Sequence, residues 1–130
     1  MEALVSVHSV LRWLVLLAAL AALGVSLIGW LGDGLPERTG RQAALIYVGI
    51  LDLQVLLGII IWVFEQRCAG GGRQFQFEHP LIMLLALIVT HIAAARARRN
   101  PAPKSAAQIR SIGIGLGLIL ILVGIPWSRL

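Results

Sequence analysis

Charge is scarce in this chain. Of its 130 residues only 13% are charged, against 58% that are hydrophobic. A soluble domain needs more polar surface than that, and the composition is that of an integral membrane protein. Cysteine is almost absent too. Cys68 stands alone, so no intrachain disulfide can form, and without a Cys-x-x-Cys-His motif a covalently attached c-type haem is excluded. The sequence also lacks a Gly-rich phosphate loop on a strand, a nucleophile motif and zinc-ligand spacing. Aromatic residues make up 6% and do not interleave with basic ones, so the net charge of +5 does not describe a nucleic-acid surface. The basic residues gather beside apolar segments, where they read as topology signals and lipid-phosphate contacts.

What is present is four long apolar runs joined by short polar ones. They predict an all-α fold, an integral membrane four-helix transmembrane bundle, with residues 1–130 as a single domain. The helices are expected at about 3–31, 42–64, 80–98 and 106–125. Each is long enough to cross a hydrocarbon layer of ~30 Å. The first run follows Met1-Glu2 without a basic stretch and is too long for a signal peptide core, so it is expected to be a retained helix. Its middle is rich in small residues (Ala18, Ala19, Ala21, Ala22, Gly24), which let a neighbouring helix or a flat cofactor approach closely. Gly113 and Gly117 offer the same in the fourth helix. Pro80 suits a first helical position, and the residue before a proline avoids the helical region, so His79 is expected at the cap or just ahead of it. The loop around Cys68 and Gly70-Gly71-Gly72 reads as flexible, and Gln74-Phe75-Gln76-Phe77 as a short interfacial strand or wedge.

Orientation follows from the basic side chains. Arg38, Arg41, Arg96, Arg98, Arg99, Lys104 and Arg110 fall on the side of loops 1–2 and 3–4. Arg12, Arg67, Arg73 and Arg129 fall on the other. Seven against four favours both termini outside the cytoplasm.

Chemistry-bearing residues are few. Antiparallel helices bring the starts of helices 1 and 3 to the same face, so His8 and His79 lie at similar depth. Two level imidazoles from separate helices can hold a haem iron from opposite sides. Arg12, one turn after His8, is placed to neutralise a haem propionate, and Trp13 and Met83 to line the ring. A plainer reading gives both histidines only hydrogen bonds to backbone or headgroups. His91 lies 12 residues beyond His79, ~18 Å along a helix. Asp52 lies at comparable depth on helix 2, where a carboxylate needs pairing, water or a proton, and it is expected to face the bundle interior and meet His91. That pair is either structural, or a quinone or proton site with Tyr47 and Gln54 as further contacts, or part of a second metal centre.

Several short stretches together resemble a known family. They are His8-Ser9-x-Leu11-Arg12-Trp13, Glu78-His79-Pro80-x-x-Met83, His91, and Gly124-Ile125-Pro126-Trp127. The chain is similar, over nearly its whole length, to small four-helix bacterial membrane proteins described as cytochrome b-like. The resemblance implies a non-covalent haem b, with His8 and His79 as ligand candidates and His91 as a third. It also implies a role in respiratory or photosynthetic electron transfer, with other membrane subunits as partners, in the bacterial cytoplasmic membrane. The chain departs from diheme b-type cytochromes, which use four axial histidines. Its three histidines allow one bis-histidine haem at most. The expected function is an electron carrier, or a subunit of an oxidoreductase complex, rather than an independent enzyme. The alternatives are a cofactor-free accessory subunit that packs through the Gly and Ala faces of helices 1 and 4, and a quinone-binding or proton-handling subunit.

Overall fold

The computed structural model describes residues 2–65 and 77–127. Cys68, Gly70 to Gly72, the start of the Gln74–Phe77 alternation, Arg67, Arg73 and Arg129 lie outside the described residues. The chain forms α1 (Glu2–Leu31), α2 (Glu37–Glu65), α3 (His79–Arg99) and α4 (Pro103–Gly124). Each helix packs on its neighbours in sequence, and α1 closes the ring against α4. One end of the bundle carries the start of α1, the start of α3 and the end of α4. The opposite, basic end carries the α1–α2 and α3–α4 turns. All four helices are long and apolar enough to cross a membrane. Large apolar side chains such as Leu17, Leu20, Ile46, Ile119 and Val123 face outward, a surface compatible with lipid.

Two helices start earlier than their polarity suggests, and the chain chemistry explains both. Residues 37–41 read as a polar loop, yet they form the first turn of α2. Pro36 ends the preceding segment, and Glu37 occupies a helix N-terminus, where a negative side chain is favoured. Pro103 reads as a breaker but opens α4, a position that loses no backbone hydrogen bond. The intervening turn is fastened by Asn100, whose Oδ1 accepts from the Ala102 amide at 2.9 Å while its Nδ2 donates to Ser105 Oγ at 2.8 Å. His79 differs from expectation as well. It is the first residue of α3, and Glu78 before it already has helical dihedrals, φ −65° and ψ −51°. The helix overrides the local preference set by Pro80.

Small residues set the packing. Val15, Ala19 and Ala22 of α1 meet Tyr47 and Leu51 of α2, Ala86 of α3, and Ile114, Leu118 and Ile121 of α4 in one core. The closest approach is between α3 and α4. A Cβ on Gly113 would overlap that of Ala93, and one on Gly117 would lie 2.6 Å from Thr90 Oγ1. These two glycines therefore face α3 inside the bundle. Thr90 satisfies its own hydroxyl through the Ala86 carbonyl at 2.7 Å.

The basic end is held by ion pairs. Arg110, only 3% exposed, forms a two-pronged bond to Glu37, with Nη2 to Oε2 at 2.8 Å. Arg110 therefore lies inside the bundle and is not a solvent-facing loop charge. Gly40 makes room for it, since a Cβ there would come within 2.9 Å of Nη2. Lys104 bonds Asp33 at 3.0 Å on the surface and donates to the Gly32 carbonyl at 3.1 Å.

Candidate functional site

The end opposite the arginine cluster gathers His8, His79, Gln54 and Arg12. His8 sits on the second turn of α1 and His79 opens α3, so the antiparallel arrangement makes them level. Their ring centroids are 6.4 Å apart and the planes cross at 67°. Each ring is tied to another helix. His79 Nδ1 lies 2.8 Å from the carbonyl of Gly124, at the end of α4. A carbonyl only accepts, so Nδ1 carries the proton, and in the neutral ring the lone pair is on Nε2. Gln54 of α2 donates through Nε2 to the His8 carbonyl at 2.9 Å, and the same nitrogen is 3.4 Å from His8 Nδ1. Gln54 Oε1 is buried with no hydrogen-bond partner.

Two glycines form walls of this site. A Cβ on Gly58 of α2 would lie 2.9 Å from His8 Nε2. One on Gly124 would lie 2.8 Å from Met83 Cε and from Ile82 Cγ2. Met83, one turn into α3, thus covers the backbone at the end of α4. Arg12 lies one turn from His8 with its guanidinium carbon 5.1 Å from the Trp13 ring centre, and its Nε is buried without a hydrogen-bond partner.

These features bear on whether a haem suits the site. Two imidazoles bonded to one metal at about 2 Å each place their ring centres about 6 Å apart, close to what is seen. Ligating imidazoles commonly give their second N–H to a backbone carbonyl, as His79 does to Gly124. The unsatisfied Arg12 Nε is a donor suited to a carboxylate. The donor set therefore fits a b-type haem. His8 Nε2 packs against Gly58, so ligation requires that ring to turn away from α2. Among the described residues no group of three or more His, Cys, Asp or Glu side chains gathers to hold a metal ion, here or elsewhere.

The second polar site differs from its expected form. Asp52 Oδ1 and His91 Nε2 do meet, at 2.6 Å, across the α2–α3 seam. They do not face the interior. Asp52 is 47% exposed and His91 49%. The reason is helical periodicity. Leu51, Gln54 and Val55 face the core, and Asp52 is turned about 100° from Leu51. Gln54, two residues on, points nearly the other way and belongs to His8. Tyr47 is fully buried in the core beside Thr90. Neither residue joins Asp52 and His91. His91 also stands apart from His79, whose ring contacts His8.

Gln54 is the residue whose role the sequence misplaced. The sequence shows only that Gln54 and Gly58 lie four residues apart and so share one face of α2. Compared with known protein families, curated proteins and solved structures, the chain matches none.

Proposed function

We propose that this chain is a membrane electron-transfer subunit that binds one haem b through His8 and His79. The observation that carries the reading is the meeting of these two imidazoles, from α1 and α3, at a centroid separation of 6.4 Å. Gly124 orients His79 and Gln54 fixes the backbone of α1 at His8, while Arg12 would neutralise a propionate and Met83 would pack beside the haem. A haem iron held by two imidazoles supplies one-electron exchange. In this reading the helices span the cytoplasmic membrane of a bacterium, with both termini outside and the basic end inside. The outward apolar faces of the helices suit contact with other membrane subunits, and we place the chain in a larger respiratory or photosynthetic complex.

The test is the visible spectrum of the protein purified from membranes of cells supplied with haem precursor. A reduced-minus-oxidised Soret and α-band is expected, lost in His8→Ala and in His79→Ala while helicity is retained. A colourless protein with full helicity refutes the haem and leaves the chain as an accessory subunit.

A further inference from the structure

Asp52 and His91 are a polar island on an apolar exterior. Among the described residues no other ionisable side chain is exposed more than two turns from a helix end. Leu53, Leu56, Ile88 and Ile92 face outward around the pair. The bond from His91 Nε2 to Asp52 Oδ1 leaves Asp52 Oδ2 and His91 Nδ1 with no further hydrogen bond among the described residues. In hydrocarbon such atoms are costly, and polar side chains there turn toward protein or water. A second, independent feature lies beside them. Gly49, one turn before Asp52, is exposed, and a Cβ built on it would meet nothing within 4 Å. It is an outward notch, unlike Gly113 and Gly117, and small residues of that kind allow another helix to approach closely.

The geometry points to this α2–α3 face as a two-fold interface between two copies of the chain, in which His91 of each copy donates from Nδ1 to Asp52 Oδ2 of the other. The patch is self-complementary, as a two-fold contact requires. Each copy offers one donor and one acceptor side by side, and a two-fold axis between them matches donor to acceptor twice. Each His91 then donates from both ring nitrogens and each Asp52 accepts on both oxygens, so the polar atoms left open in one copy are satisfied by the other. A different partner needs its own matched acid and base, whereas this chain already carries both. The face is ~18 Å along α3 from His79, so the inference does not depend on the haem reading.

The test uses complementation in trans. Asp52→His gives a copy with two imidazoles at the patch, and His91→Asp gives one with two carboxylates. Each repels itself, and the two together restore the acid–base match. Full-length copies with donor and acceptor fluorophores on their termini are mixed in phosphatidylethanolamine–phosphatidylglycerol vesicles, and energy transfer is read against protein-to-lipid ratio. Expected are self-association of the wild type, a loss of about tenfold or more for each variant alone, and recovery when the two variants are mixed. Circular dichroism on each variant confirms that its helices remain. Overturning results are a monomeric wild type, variants that self-associate as tightly as the wild type, or helical variants that do not recover on mixing. A monomeric wild type whose His91 ring resonances shift on adding decylbenzoquinol also overturns it, and assigns the pair to a lipid-soluble hydroxyl ligand instead.

Discussion

Glu37→Gln tests how the basic end of the bundle is held. Arg110 is 3% exposed and its charge is met by Glu37, which is 28% exposed. Arg110 Nε is already without a partner. Replacing the carboxylate leaves a buried guanidinium uncompensated, which costs about 3–5 kcal/mol at a fully buried pair. The partial exposure of Glu37 puts the expected loss at the lower end, about 3 kcal/mol. Removing the other partner is milder. In Arg110→Met the remaining carboxylate reaches water and stays at a helix N-terminus that favours it, so about 1 kcal/mol is expected. The double variant should be no less stable than Glu37→Gln alone. Gly40 adds a coupled check, because its Cβ would press on Arg110 Nη2 at 2.9 Å. Gly40→Ala should destabilise the wild type but stabilise Arg110→Met by about 0.5–1 kcal/mol through helix propensity. The assay is reversible unfolding in mixed micelles by denaturing detergent, followed by circular dichroism, analysed as a double-mutant cycle. A Glu37→Gln loss within about 0.5 kcal/mol, typical of an exposed pair, or additive behaviour of Gly40→Ala and Arg110→Met, would refute the reasoning.

Gly113→Val should separate α3 from α4, because even a Cβ overlaps Ala93 there; the cost should be at least 1–3 kcal/mol, as for overpacked cores, and Ala93→Gly should return part of it in the same unfolding assay. Gly58→Leu fills the place that His8 Nε2 now occupies, so it should hold the His8 ring turned away from α2, as ligation requires, and haem absorbance should persist with helicity intact; loss of the absorbance would show that His8 depends on that wall of α2.

Much of the fold is legible in the sequence because four apolar runs of membrane length have few alternatives to a bundle. Placing His8 and His79 at one end needs only antiparallel counting. The helix starts are less legible, since Glu37 and Pro103 are polar or breaking by type yet favourable at a first turn. Asp52 shows a conflict between two rules. The cost of a carboxylate in hydrocarbon argues for burial, while its spacing from Leu51 and Gln54 turns it outward, and the spacing prevails. The contact between His79 and Gly124 could not be read in advance, because it depends on where α4 stops relative to α3.

That contact has a consequence for how the site tolerates change. The acceptor for His79 is a main-chain carbonyl, so no side chain at position 124 supplies it, and a replacement there acts only through the clash of its Cβ with Met83 and Ile82. The direction of the imidazole is instead encoded in the length of α4. Deleting one residue between Gly117 and Gly124 would rotate the end of the helix by about 100° and withdraw it by about 1.5 Å. The ring would then lose its anchor although every residue type at the site remained. The position of the imidazole is thus a matter of counting along a helix, and insertions or deletions, more than substitutions, are the changes that should erase it.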